Sequence, residues 1–293
     1  MKVFAVASFF FFFASALPQA SSAEATSAQA EQPRVTYRKA RLSDPSWKRL
    51  KKQVGPDADL LLAKINRLDM RRLKRQQTLV APTRPVDELT CSPFPPVIAE
   101  ALLWPKLVLV SLRVQAFGAY EYGQLVRWGP TSTGIRSRPT PASLYFTSSK
   151  SRRKISTLDR TWIMPWYVNL HTSMGVAFHQ YSMPGRPYSH GCIRLLKEDA
   201  VWMYGWTDTW VPPSDQDSPQ IHGTPVIVFG EYRYGKKPPW AALPKDPLAA
   251  SVSQEEIAES FGRYAGVIDE RVRARQAHFA AQAAEAALET SRD

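Results

Sequence analysis

The sequence predicts a mainly β domain over residues 106–230, flanked by a small helical N-terminal unit and a C-terminal helix. Three observations carry this expectation. Between residues 107 and 229, short β-branched or alternating runs recur between turn residues. On either side the apolar spacing becomes helical, and Ser253-Gln254-Glu255-Glu256 is a capping box that opens a long Ala/Glu/Arg stretch. The 293 residues also contain 24 prolines against 14 glycines, which favours extended connections over a helical bundle.

Taken in order, residues 1–23 read as a secretory signal: Lys2, then an apolar run over 3–17, then small residues at 20–23. The run is shorter than a bilayer span. Residues 24–44 are Ala/Ser/Gln-rich and then basic, as expected of a flexible leader. The unit at 45–83 opens a helix at Trp47 and carries a second apolar stripe at Leu60, Leu61 and Ile65. Residues 84–105 read as a Pro-rich linker. In the β domain, 108–115 is a strand, and 119–128 is a hairpin turning at Glu121-Tyr122-Gly123-Gln124. Further strands are expected at 163–170, 175–180 and 224–229, and a helix at 196–206. A second Pro-rich linker covers 231–252. The C-terminal helix and tail occupy 253–293, with an apolar stripe at Ile257, Phe261, Tyr264, Val267, Ile268 and Val272 that reads as a docking face.

The chain carries 38 Lys+Arg against 26 Asp+Glu, a formal charge of +12. Such a balance seeks an acidic partner: nucleic acid, an anionic membrane face or a carboxylate-rich polymer. An export signal argues against nucleic acid, and no later segment reaches the ~20 apolar residues of a membrane helix. The expected protein is exported, does not span the membrane, and meets an acidic polymer. Two cysteines, Cys91 and Cys192, exclude a disulfide-rich scaffold and a four-Cys zinc module.

The run Ser189-His190-Gly191-Cys192-Ile193-Arg194-Leu195 carries the chemistry. A thiol is a weak nucleophile at its ordinary pKa of roughly 8.5 and needs a base or a positive dipole. Gly191 permits a tight turn, and backbone N–H groups beside it can lower the thiol pKa and hold an oxyanion. Of the five histidines, His179 is the best base, because it ends the apolar run 175–178.

The SHGCIRL run, with a histidine upstream at the end of an apolar strand, resembles the L,D-transpeptidase (YkuD) catalytic domain. The likeness extends over roughly 106–230. Glu121-Tyr122-Gly123-Gln124-Leu125-Val126 resembles its early hairpin, Thr131-Ser132-Thr133-Gly134 its T-G turn, and Thr140-Pro141-Ala142-Ser143 its T-P-x-G segment. Met164-Pro165-Trp166 and Gly223-Thr224-Pro225-Val226 resemble its later strands. Within 45–83, Ile65-Asn66-Arg67-Leu68, Leu73, Gln77 and Leu79-Val80-Ala81-Pro82 resemble the second half of a LysM module, which binds peptidoglycan glycan strands; an opening strand is hard to find before Trp47. The alternative for this unit is a small helical packing element.

The resemblance implies a β-sandwich or mixed sheet with a short helix after the nucleophile. Cys192 is implied as nucleophile and His179 as base, its ring held by a backbone carbonyl near Gln180. The N–H groups of Gly191 and Cys192 would form the oxyanion hole, His190 and Ser189 would shape the pocket, and Arg194 would brace the loop or meet a substrate carboxylate. Tyr145, Trp166 and His171 are weaker candidates for substrate contacts. Two departures stand out: only residues 180–188 separate His179 from Ser189, and Ser143 replaces the glycine of T-P-x-G.

The implied activity is peptidoglycan L,D-transpeptidation without cofactor or metal, on stem peptides and glycan strands, in a periplasmic, wall-associated setting. The same thioester is compatible with an L,D-carboxypeptidase or with linkage of a lysine-bearing wall protein. A non-catalytic peptidoglycan-binding protein is the alternative of another class, and the intact Cys192/His179 pair argues against it. Zinc ligation by His179, His190 and Cys192 is disfavoured by the lack of an H-E-x-x-H run or a second Cys pair. A papain-like protease is disfavoured by the lack of its signature. Cys91 is expected to be structural or incidental, since a disulfide to Cys192 would remove the nucleophile.

Overall fold

A computed structural model describes residues 35–213 and 220–291. The signal reading of 1–23 and most of the leader lie outside the described residues.

The N-terminal unit places three helices between two paired strands. Strand β1 (Tyr37–Arg41) pairs antiparallel with β2 (Thr78–Pro82), and between them run α1 (Pro45–Val54), α2 (Ala58–Asn66) and the short α3 (Met70–Leu73). Asp44 caps α1 by accepting from Ser46 N at 2.8 Å. Strand β1 falls in the stretch expected to be a flexible leader. Its partner among the described residues lies some forty positions on, a non-local pairing that the basic local sequence does not encode.

The central domain is a sandwich. A five-stranded sheet has the order β5-β4-β3-β11-β6, from β3 (Leu107–Ser111), β4 (Ala116–Glu121), β5 (Gln124–Pro130), β6 (Ser143–Phe146) and β11 (Pro225–Phe229). A four-stranded sheet has the order β10-β9-β8-β7, from β7 (Lys150–Ile155), β8 (Ile163–His171), β9 (Val176–Gln180) and β10 (Ile193–Leu195). Each sheet is mixed, with β3–β11 and β9–β10 parallel and the other pairs antiparallel. The predicted hairpin is present: Tyr122 (φ 46°) and Gly123 (φ 73°) both turn left-handed, as a two-residue β-hairpin requires.

Alternation along the central strands explains the layers. In β3, Val108 and Val110 face the second sheet, where they pack with Val168, Phe178 and Ile193. Leu107 and Leu109 face the other way, onto a core shared with Phe94, Ile98, Trp104, Trp240, Ile257 and Phe261. Both faces of this sheet are therefore covered, which is why the strand reads as a continuous apolar run. The covering comes from residues 84–105, which lie packed along the outer face, and from the C-terminal α5 (Gln254–Thr290). Trp104 stacks on Phe261 with ring centroids 5.3 Å apart, and its Nε1 donates to Asp269 at 2.8 Å. The capping box of Ser253 and Glu256 forms as predicted. A helix α4 (Lys197–Trp206) follows β10 and packs Ala200 and Met203 between the sheets.

Buried cations join the N-terminal unit to the sandwich. Lys64 Nζ is fully buried and donates to Glu88 Oε1 at 2.5 Å and to Trp128 O at 2.9 Å, with Asp199 Oδ1 at 3.2 Å. The Arg67 guanidinium lies against the rings of Trp128 and Trp240 and donates to the Val114, Lys64 and Ile65 carbonyls.

Candidate active site

The site sits where β9 and β10 run side by side. Parallel pairing aligns Ile193 with Phe178 and Arg194 with His179, so Cys192, the residue just before β10, lies at the mouth of the strand that carries the histidine. His179 Nδ1 lies 3.0 Å from the Gln180 carbonyl. A carbonyl only accepts, so this contact assigns the proton to Nδ1 and leaves Nε2 with its lone pair free.

Cys192 is partly buried, and its thiol donates to the Gly175 carbonyl at 3.1 Å. Burial pushes the thiol up to about 11, against a backbone hydrogen bond at Ala177 and the nearby Arg194 charge, both of which lower it. Burial pushes His179 down to about 4, with the Gln180 contact opposing and Arg194 assisting. Both shifts disfavour charge, so at neutral pH the pair rests as a neutral thiol and a neutral imidazole.

The loop that presents Cys192 is splinted by the T-G turn. Ser132 and Arg194 exchange both backbone hydrogen bonds at 3.1 Å, and Tyr188 N and Ser189 N both donate to Thr133 O at 2.9 Å. Thr140 Oγ1 donates to Gly191 O at 2.8 Å and accepts from Gly134 N at 2.9 Å. Gly191 has φ 116°, a conformation that L side chains rarely adopt. The Ser189 hydroxyl donates to Cys192 O and accepts from Gly191 N at 3.3 Å.

A cleft of about 710 Å³ opens over the sulfur. Cys192, His179, Gly191, His190, Ser189 and Arg194 all line it, as does Gly175. The His190 ring lies 5.1 Å from that of Trp162, which comes from the turn joining β7 to β8, and its buried Nδ1 has no hydrogen-bond partner. Arg194 is held over the Tyr181 ring at 4.6 Å and that of Tyr188 at 5.5 Å, and donates to Ser182 O at 3.4 Å and Ser182 Oγ at 3.3 Å. Three cations line the cleft, Arg138, Lys154 and Arg194, and among the described residues lining it there is no carboxylate.

The three weaker candidates lie elsewhere. Tyr145 is buried between the sheets, its hydroxyl donating to Pro141 O at 2.9 Å. Trp166 packs edge-on against Tyr204 of α4, with Arg152 over its ring at 4.8 Å. His171 is exposed, because the register of β8 shifts between Asn169 and His171 and carries it away from the cleft. None of the three lines the cleft.

Sequence reasoning missed Tyr167 and Asn169, which do line it. Tyr167 Oη donates to Asn169 Oδ1 at 2.9 Å, and burial, with Cys192 adding, pushes the phenol up to about 12. The signal was available: in the alternation of β8, Val168 and Leu170 are the core face, so Tyr167 and Asn169 must point the other way.

Residues 105–228 match the family model of the L,D-transpeptidase catalytic domain, YkuD. L,D-transpeptidase 1 of Mycobacterium tuberculosis (strain H37Rv) is 28% identical over 111 residues, covering 33% of this chain and 44% of that protein. The chain thus spans less than half the length of the curated relatives it matches. Among solved structures, an L,D-transpeptidase from Stackebrandtia nassauensis is 23% identical with a TM-score of 0.37, over 46% of this chain and 59% of that one. Mycobacterium tuberculosis L,D-transpeptidase 1 is 25% identical with a TM-score of 0.33, over 43% and 62%. The match to the L,D-transpeptidase catalytic-domain model over residues 105–228 covers the strands that carry His179 and Cys192.

Proposed function

We propose that this protein is a peptidoglycan L,D-transpeptidase in which Cys192 is the nucleophile and His179 the base. The observation that carries the reading is the His179 ring, fixed by the Gln180 carbonyl with Nε2 free, on the strand paired to the one that Cys192 enters.

Sγ attacks the carbonyl carbon of the third stem residue while its proton passes to His179 Nε2. The neutral resting pair means that the proton leaves as the bond forms, rather than from a preformed thiolate. The oxyanion is received by the N–H groups of Gly191 and Cys192; Gly191 N has only a long 3.3 Å contact to give up. The C–N bond to the terminal D-Ala breaks, His179 returns its proton to the leaving amine, and a thioester remains. An acceptor amine then attacks the thioester, its proton passes through His179 to the sulfur, and the free thiol is restored. With a third-residue side-chain amine as acceptor, the product is a 3–3 cross-link.

The carboxylate-free cleft with Arg138, Lys154 and Arg194 suits a stem peptide bearing several carboxylates. We assign the N-terminal unit as LysM-like and glycan-binding. Its support is the β1–β2 pair around α1, α2 and the short α3, in which Tyr37–Arg41 supplies the opening strand, and a recess lined by Leu42, Trp47, Lys51 and Lys74. A signal-directed, periplasmic and wall-associated location follows from the same reading, as does a lysine-bearing wall protein as a second class of acceptor.

The test is mass spectrometry of the purified protein with a disaccharide-tetrapeptide, beside Cys192→Ala. The expected result is a cross-linked dimer with loss of D-Ala, absent from the variant. Tripeptide alone would move the reading to a carboxypeptidase. No turnover, with retention on sacculi, would replace it by a binding protein.

A further inference from the structure

The N-terminal unit holds the loop beside the candidate site, and Asp69 makes its polar contact there. We infer that Asp69 is a positioning residue for Arg194, acting through the short loop between base and nucleophile. This rests on the proposed reading only for its consequence in catalysis; the geometry stands without it.

Asp69 Oδ2 accepts from Met183 N at 2.9 Å, and Asp69 N donates to Met183 O at 3.1 Å, so one residue clamps both sides of the Met183 peptide groups. Asp69 Oδ1 is engaged as the cap of α3, accepting from Arg72 N at 2.9 Å, and Arg72 pairs with the same carboxylate. The Asp69 carboxyl is held below its ordinary range by its hydrogen bonds to Arg72, Met183 and the Arg72 guanidinium, against desolvation. The Met183 side chain is fully buried among Trp47, Leu50, Leu62 and Leu73, in the core of the N-terminal unit and not of the sandwich. Leu68 forms a β-bridge with Pro184 beside it.

Ser182, the neighbour of the clamped residue, presents the carbonyl and hydroxyl that hold the Arg194 guanidinium. Tyr181, one residue further, supplies the ring beneath that guanidinium and meets His179 edge-on at 5.7 Å. With only residues 180–188 between His179 and Ser189, the loop is too short to hold this geometry by packing of its own. It borrows a core from the N-terminal unit. Release of Met183 frees Ser182, and the cation in the cleft loses its seat.

The test reads the charge felt at the sulfur without any stem peptide. Cys192 in the full-length protein is alkylated with iodoacetate and with iodoacetamide, and the ratio of the two rates is taken. Arg194→Ala is expected to lower this ratio about fivefold, the effect of one near-contact charge in a wet cleft. Asp69→Ser keeps a cap for α3 but cannot reach Met183 N; it is expected to lower the ratio in the same direction, by at least twofold, and to add nothing to Arg194→Ala. Met183→Ala is expected to do the same. An unchanged ratio in folded Asp69→Ser, with only a lower unfolding midpoint, would make Asp69 merely structural and overturn the inference. An unchanged ratio in Arg194→Ala would overturn it at the cation. Failure of the transpeptidase reading would appear instead as absent turnover of tetrapeptide with these ratios intact.

Discussion

The Thr140 hydroxyl donates to the Gly191 carbonyl at 2.8 Å while accepting from Gly134 N at 2.9 Å, so one side chain ties the T-G turn to the residue before Cys192. Thr140 is buried, and both of its partners would be left unpaired by an isosteric apolar residue. Thr140→Val is expected to cost about 1–3 kcal/mol of stability and to lower turnover further by loosening the Gly191 peptide. Thr140→Ser should recover most of both. Denaturant unfolding beside steady-state kinetics checks this; equal loss in the serine and valine variants would contradict it.

Gly191 itself is held by backbone conformation and not by lack of room. At φ 116°, an added Cβ would meet only the Gly175 and Met174 carbonyls, at an ordinary 3.6 Å. Gly191→Ala is therefore expected to fold, to lose about 1–2 kcal/mol to strain, and to lose acyl transfer as the proposed donor N–H swings away. A folded Gly191→Ala with full activity would sink the oxyanion role.

His179 gives a pH signature. Burial keeps it neutral down to about 4, whereas the unfolded chain protonates it near 6.5. Between those values the unfolded state binds more protons, so this group withdraws stability as pH falls, at about 1.4 kcal/mol per unit. Above 6.5 it withdraws none. Urea midpoints measured from pH 7 to 4 should fall less steeply in His179→Gln than in the unsubstituted protein.

Lys64 predicts a penalty at the junction of the two units. Its ammonium is fully buried against Glu88 and Asp199. Lys64→Met leaves a buried carboxylate short of a partner, and is expected to cost about 3–5 kcal/mol; adding Asp199→Leu should restore part of it. Thermal unfolding of the two variants decides this.

The sequence by itself carried the local signals of the candidate site and of much of the scaffold. The SHGC run, the apolar strand ending at His179, the left-handed hairpin at Tyr122-Gly123 and the capping box at Ser253 are local signals, each set by residues within a few positions. The positions that required the tertiary structure are non-local. Strand β1 exists because β2 pairs with it, His171 leaves the cleft because β8 shifts register, Tyr145 turns inward because two sheets meet there, and Trp166 packs against α4. Least legible was the fate of Met183. Nothing in a loop of nine residues announces that its core lies in a unit more than a hundred positions earlier, since burial is decided by what packs against a side chain and not by its neighbours in the chain.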